Sequence, residues 1–388
     1  MLYTGKGGVG KTSVAACTAL RLAGAGARTL IISTDPAHSL SDSLGTPLGG
    51  EPTPAGDALW GQQVDAQLEM ERHWSGVQEW LGQLLTEHGV DRLSAEELTV
   101  PPGMDELFAL LRLQAAVDSG EWDAIVVDCA PTGETLRLLS FPDMARWWIE
   151  KVFPMERRIL AAAGPLARAL LDIELPGHAV FDDVQRLSER LIAMHELLRD
   201  HSRCTIRLVM NPDRMVIGEA MRTFTYLNLY GYLTDAVIVN RIFPADVGEY
   251  FAAWRAVQQE HMALVRSAFE PVPVLCAPYF DREVLGAEML ERLAGALFDT
   301  GARDPGAVLH EELTQELIVG EHEARLRLSL PFARKSEISL KKIGLELVVR
   351  VDGHKRTIAL PSAMAAYRPR GAKFDDGALE VTFDAGRS

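Results

Sequence analysis

The sequence predicts an α/β fold with a mostly parallel sheet and helical insertions, followed by a smaller all-β module. Three observations carry that expectation. Short apolar segments alternate with helical patterns as far as Phe298. A glycine-rich turn, GKGGVGKT, occupies residues 5–12, between a short apolar lead and a helix-forming run. Beyond residue 298 the helical pattern gives way to strand-like alternation.

The turn comes first in the chain. Gly5, Gly10, Lys11 and Thr12 satisfy the spacing G-x-x-x-x-G-K-[ST] of a phosphate-binding P-loop. Glycines let successive backbone N–H groups curl toward one phosphate chain. Lys11 is placed to reach the β- and γ-phosphates, and the Thr12 hydroxyl to bind Mg²⁺. The helix expected from there to about Leu22 points its positive dipole end at the phosphates. Only Met1–Thr4 precede the turn. The strand leading into it is therefore expected to be short, with the natural start a few residues upstream.

Five segments read as buried parallel strands: 29–33, 124–128, 205–210, 236–240 and 272–276. Alternation with helices implies a sheet covered on both faces. Two stretches, about 60–120 and 143–200, are too long and helical to be simple crossovers. They predict a helical subdomain inserted in the α/β core. Leu187, Leu191, Met194 and Leu198 fall on one helical face. Trp74, Trp80, Trp147, Trp148, Met144 and Met155 belong to the same stretches. Ordinary amphipathic packing accounts for such residues, and so does an adaptable apolar groove for a client.

The expected boundaries are an ATP-using domain over 1–298, a linker over 299–320 and a β module over 321–388. The module carries 13 Lys and Arg against 9 Asp and Glu, a net +4, whereas the remainder of the chain is at −19. Opposite signs favour docking between the parts or between subunits. The whole chain, at −15, lacks the basic balance of a nucleic-acid binder. Its four cysteines lie far apart with no C-x-x-C pair, against a disulfide framework or cysteine zinc site. No signal peptide or membrane span is apparent. A soluble, cytoplasmic protein is expected.

Two further segments complete the expected site. TDPAHSLSDSL, 34–44, follows the second strand. Asp35 stands at that strand's carboxyl end, where a metal-bound phosphate would lie, and Asp42 follows in a segment able to close. A carboxylate at Asp42 can position the attacking water or take its proton. DCAPTGET, 128–135, follows AIVV. Asp128 takes the place of a Walker B aspartate, holding Mg²⁺ through water, and Gly133 could sense the γ-phosphate through its N–H.

Together these segments resemble the arsenite-pump ATPase and tail-anchored-protein targeting ATPase family, within the signature-lysine P-loop NTPases. GKGGVGKT is similar to the family P-loop, DPAHSLSD to its first switch and DCAPTGETLRLLSFP to its second. PPGMDELFAL at 101–110 and VIVNRI at 237–242 fit as well. The module, with LSLPFARKSEISLKKIGLELVVRVDGHKRTIALP, resembles an α-crystallin domain. The resemblance implies ATP and Mg²⁺ as cofactors. It implies nucleotide contacts from Gly5, Lys6, Gly7, Gly8, Val9, Gly10, Lys11, Thr12, Ser13 and Gly133. Asn240 would read adenine, and Glu219 would touch the nucleotide of the partner subunit. Metal contacts would come from Thr12, Asp35 and Asp128, and catalysis from Asp42, Lys6 and Lys11. It also implies a homodimer in which Lys6 reaches across to the other chain's nucleotide, as an arginine finger does.

The function expected from this resemblance is a homodimeric Mg-ATP-dependent ATPase. Its cycle would open and close a hydrophobic groove for a helical client or membrane-protein partner. The alternative is an arsenite-stimulated ATPase subunit of an anion efflux pump. The family's metalloid site uses a cysteine trio, and none is apparent here. Its zinc-binding C-x-x-C is missing too. A positioning factor on DNA or membrane would need a basic surface or a terminal amphipathic helix, which the sequence lacks.

Overall fold

The computed structural model describes residues 1–35, 39–65, 68–69, 104–129, 178–311, 315–320, 322–361 and 364–385. The chain divides into two compact units. One comprises Met1–Gln63, Trp122–Leu136 and Leu198–Ser388, and the other Val64–Glu121 and Arg137–Leu197.

The first unit is built on an eight-stranded sheet. Its strands are β1 (Leu2–Thr4), β2 (Thr29–Ser33), β3 (Thr53–Gly56), β4 (Leu59–Gln63), β5 (Ala124–Asp128), β6 (Ile206–Met210), β7 (Thr234–Ile242) and β8 (Val274–Pro278). Their spatial order is β3-β4-β2-β5-β1-β6-β7-β8, parallel throughout except for β3. Leu30, Ile31 and Ile32 are fully buried, as are Leu208, Val209 and Met210. Continuous apolar runs of this kind belong to strands buried on both faces. All five expected strand segments are present. The expectation missed β3 and β4, where TPAG and LWGQQ carry glycine, proline and amides. β3, which carries the proline, is the sheet's edge strand, where proline is tolerated, and β4 lies between it and β2. Leu59–Gln63 thus extends the sheet into residues expected to start the helical insertion.

Seven α-helices are present among the described residues, five of them wholly in the first unit. α1 (Lys11–Gly24) is alanine-rich, and its Val14, Ala15, Ala16 and Ala19 pack in the core with Leu290 and Leu293. α2 is Ser39–Leu44. In the second unit α3 spans Met104–Ser119, and α4 runs from His178 to Arg199. On α4, Leu187, Leu191, Met194 and Leu198 are all buried, as their spacing predicts. α5 (Arg214–Tyr230) leaves its last turn through Gly231 in the left-handed conformation. α6 (Ala252–Phe269) and α7 (Gly286–Ala294) complete the α/β part. Trp74, Trp80, Trp147, Trp148, Met144, Met155 and Gly133 lie outside the described residues.

The C-terminal module consists of two antiparallel sheets, as expected of an α-crystallin-like sandwich. β9 (Gln315–Val319), β10 (Glu323–Ser329), β14 (Tyr367–Asp375) and β15 (Ala378–Ala385) form one, in the order β14-β15-β10-β9. β11 (Ile338–Ile343), β12 (Glu346–Val351) and β13 (His354–Ala359) form the other. Period-two alternation buries Ala324, Leu326 and Leu328 on β10 and Leu379, Val381 and Phe383 on β15. On β12, Leu347, Val349 and Val351 are buried. β9 lies within the stretch expected to be linker and instead pairs with β10.

The module docks on α5 through aromatic packing and one buried cation. Phe224 of α5, Phe269 of α6 and Phe332 of the module form a three-ring cluster with centroids 5.4–6.1 Å apart. Arg356 of β13 is 3% exposed and donates to the Leu229 carbonyl in the last turn of α5 and to Gln315. A cation suits the negative end of a helix. Gly231 has φ +79, a left-handed conformation that favours glycine, and a Cβ there would also approach Arg356 Nη2 to 2.9 Å. Tyr226 donates to Asp352 at 3.2 Å and lies against His354.

Candidate active site

The site gathers at the carboxyl end of the central strands, where β1 turns into α1. Gly5 lies so close to β6 that a Cβ would fall 2.1 Å from the Val209 carbonyl oxygen. Gly10 adopts φ +93, and a Cβ there would meet Asn240 at 2.4 Å. These two contacts explain why the loop needs glycine at its ends. Gly7 and Gly8 are exposed at the apex, whereas Val9 is buried.

The two lysines occupy different environments. Lys11 is 5% exposed and its Nζ donates to the Lys6 carbonyl at 3.4 Å, folding the ammonium back under the loop. Lys6 has a side chain 41% exposed and pairs with Glu219 of α5 at 3.4 Å. Lys6 and Glu219 are thereby neighbours within one chain. An exposed pair of this kind contributes about 0–1 kcal/mol, so it holds the lysine only weakly.

Asp128 ends β5 directly opposite Ser33 of β2 in register. Ser33 Oγ donates to Asp128 Oδ2 at 3.3 Å. Asp128 is fully buried, and its Oδ1 has no hydrogen-bond partner among the described residues. Burial pushes its carboxyl up to about 6, against the pull of the Thr12 hydroxyl and the Lys11 charge, with Asp35 pushing further upward. The Asp35 N–H donates to Ser33 Oγ at 3.3 Å, which sets Asp35 beside the same strand ends. Thr12, Asp35 and Asp128 therefore converge. Among the described residues no group of three His, Cys, Asp or Glu side chains is placed to enclose a metal. Two carboxylates and a hydroxyl instead suit a magnesium ion shared with substrate phosphates.

The first switch is tied to this centre. Thr12 Oγ1 and Ser39 Oγ are 3.1 Å apart, joining α1 to the start of α2. Ser41 Oγ donates to Gln63 at 2.6 Å, fixing α2 to the end of β4. Leu40 and Ser43 turn inward, which leaves Asp42 exposed on the opposite side. Ser13 is half-buried in the first turn of α1.

Asn240 closes the loop from the β7 side. Its Nδ2 donates to the Val9 carbonyl at 2.9 Å, and its Oδ1 accepts from the Arg241 N–H at 2.9 Å. Arg241 was not anticipated by the sequence reading. Its guanidinium donates to the Gly8 carbonyl at 3.1 Å. The sequence signal was only its place after Asn240, with nothing to indicate a contact 233 residues away.

Comparison with known proteins identifies the family. The family described as Anion-transporting ATPase matches residues 1–299, and the HSP20-like domain found in ArsA matches residues 321–383. A relative from Chlorobaculum tepidum, named as an arsenical pump-driving ATPase, is 37% identical over 99% of this chain and 95% of its own length. One from Aquifex aeolicus with a similar name is 34% identical, over 97% of each chain. ATPase GET3B of Arabidopsis thaliana is 32% identical over 76% of this chain and 77% of its own. The chain belongs to the anion-transporting ATPase family and is an ATP hydrolase carrying that family's HSP20-like domain.

Proposed function

We propose that the chain works as a homodimer that closes on Mg-ATP and opens after hydrolysis, and that this cycle reshapes an apolar groove for a hydrophobic helical client or membrane-protein partner. The observation that carries the reading is the second lysine. Lys6 stands 41% exposed at the mouth of a loop whose other lysine is buried. A cation in that position is available to a second copy of the site. The HSP20-like module docked on α5 supports a role in handling other proteins. The relatives' names include both arsenical pump-driving ATPases and GET3B.

In this reading Lys11 and the loop N–H groups hold the β- and γ-phosphates. Thr12, Asp35 and Asp128 would hold a magnesium ion. The ion supplies neutralisation of charge on the phosphate oxygens. The unpartnered Asp128 Oδ1 fits that role, since a buried carboxylate oxygen left unpaired is costly. Asp42 orients the attacking water and takes its proton. Lys6 leaves Glu219 and places its charge at the other chain's γ-phosphate. Gly133 as phosphate sensor, Asn240 as adenine reader and Glu219 as a contact to the second nucleotide complete the proposal. The proposed compartment is the cytoplasm, where four free thiols stay reduced. Among the described residues no helix is long and apolar enough to cross a membrane. Nucleic acid is not a proposed partner.

The second reading, arsenite stimulation of an efflux pump, draws on the relatives' names. The cysteines weigh against it. Cys17, Cys129 and Cys204 are buried, and burial raises all three thiols, Cys129 to about 12. Neutral buried thiols are poor ligands for a thiophilic metalloid.

The test is co-elution of Asp42→Asn protein with a hydrophobic helical peptide in size-exclusion chromatography, with and without ATP. ATP-dependent capture at the dimer position supports the proposal. A closed dimer that captures nothing contradicts the client role, and turnover raised by As(III) would then favour the pump reading.

A further inference from the structure

Arg241 is a non-glycine residue with a backbone φ of +60. Side chains rarely adopt that conformation, and where they do the surroundings must enforce it. Three hydrogen bonds do so. The Arg241 N–H is held by Asn240 Oδ1 at 2.9 Å. Its carbonyl accepts from Gln258 Nε2 at 3.4 Å, and the other end of that amide accepts from the Phe243 N–H at 2.9 Å. Gln258 belongs to α6, so a separate helix clamps this left-handed turn of the backbone within the last residues of β7.

The result of this enforced geometry is the position of the guanidinium. It donates to the carbonyl of Gly8, at the exposed apex of the P-loop. Its neighbour Asn240 donates to the next carbonyl, that of Val9. Two consecutive carbonyls of the loop are thus held from β7. Holding the carbonyls on one side fixes the direction in which the peptide N–H groups point on the other, because each peptide is planar. Gly8 has φ +80 and an apex glycine has no side chain to hold it in place.

We propose that Arg241 is a positioning residue for nucleotide binding: through the Gly8 carbonyl it presets the apex of the P-loop, so that its N–H groups face the phosphate shared by ATP and ADP. The inference rests on the nucleotide-binding reading of the loop and deepens it. Preset donors avoid the ordering penalty that a mobile glycine loop would incur on binding. The strained backbone is the structural consequence of placing a long cation there.

The test measures ATP and ADP affinity by calorimetry with Mg²⁺ on the full chain, alongside Tm. Arg241→Gly removes the guanidinium and relieves the left-handed strain. Its Tm is expected to stay level or rise, while both nucleotides bind about 5- to 20-fold more weakly. Arg241→Lys, which restores a donor to Gly8, should recover part of the affinity. Gln258→Leu, which loosens the turn and leaves the guanidinium in place, should weaken both nucleotides in the same direction. Arg241→Gly affinities within twofold of the wild type would overturn the inference. So would a loss confined to ATP, which would mark a direct γ-phosphate contact. If Arg241→Gly lowers Tm, Arg241→Lys decides: regained affinity supports positioning, and affinity as poor as with glycine overturns it. A wild-type chain that binds neither nucleotide would instead contradict the nucleotide reading itself.

Discussion

Lys6 and Lys11 lie five residues apart, one with a side chain 41% exposed and the other 5% exposed, and the proposed roles follow that contrast. Asp42 and Asp128 divide in the same way. Asp42 is exposed on α2, where it can meet a water, while Asp128 is sealed under the loop. Asp42→Asn should therefore keep ATP binding and cut turnover by about 10²- to 10⁴-fold, read by comparing calorimetry with phosphate release. Unchanged turnover would remove Asp42 from catalysis. Asp128→Asn has the opposite balance. Its carboxyl is raised to about 6, so the folded chain without nucleotide carries a buried charge above that pH. The penalty is absent at low pH, where the group is protonated in both states. Asparagine should thus stabilise the nucleotide-free chain by on the order of 2 kcal/mol at pH 7, a gain that fades as pH falls from about 6 to about 4. Denaturant titrations at several pH values measure it, and hydrolysis should be lost. The spacing of Gly5, Gly10, Lys11 and Thr12 is legible because phosphate binding dictates it, whereas a role for Lys6 comes only from the family resemblance. Arg241 was not, because its partner is distant in sequence and its φ cannot be read from composition.

At the scale of elements, α5 connects the two functional ends of the chain. Glu219 on it meets Lys6, and its last turn receives Arg356 and the ring of Phe332 through Phe224. Arg356→Leu leaves the Leu229 carbonyl without its donor in a buried place and should destabilise by about 2–3 kcal/mol. Phe332→Ala opens the three-ring cluster and should act in the same direction. Limited proteolysis between residues 300 and 311 should then quicken in both variants; equal cleavage rates would show that the docking does not protect this segment. The central strands were legible from β-branched runs such as AIVVD. The edge strand β3 and its neighbour β4 were hidden because their pairing, rather than their own composition, makes them strands. β9 is not legible as a strand because QELIV stands alone until β10 is there to pair with it.

For the whole molecule, the sequence sets an acidic ATPase part against a basic module. The docking described here rests on aromatic rings and one buried guanidinium. A second buried cation does similar work from within. Arg207 makes a two-pronged contact with Asp235, donates to the Tyr3 hydroxyl oxygen at 3.0 Å, and donates to the Ala307 carbonyl at 3.1 Å. Asp235 in turn accepts the Leu309 N–H at 3.2 Å, so the segment leading to the module is anchored under the sheet. Sequence reading had no access to this, since Arg207 looks like an intrusion in the apolar run TIRLVM. The family resemblance carried dimerisation, and the exposed Lys6 makes that expectation testable at the level of single sites.

The most direct test of the central claim mixes two inactive variants, Lys6→Ala and Lys11→Ala, and measures ATP turnover of the exchanged dimers. If Lys6 serves the other chain, a mixed dimer contains one complete site, formed by Lys11 of the first variant and Lys6 of the second. Random mixing should then restore about one quarter of wild-type turnover, from two samples that are each inactive alone. If Lys6 acts within its own chain, no mixed dimer contains a complete site, and the mixture will remain as inactive as its parts.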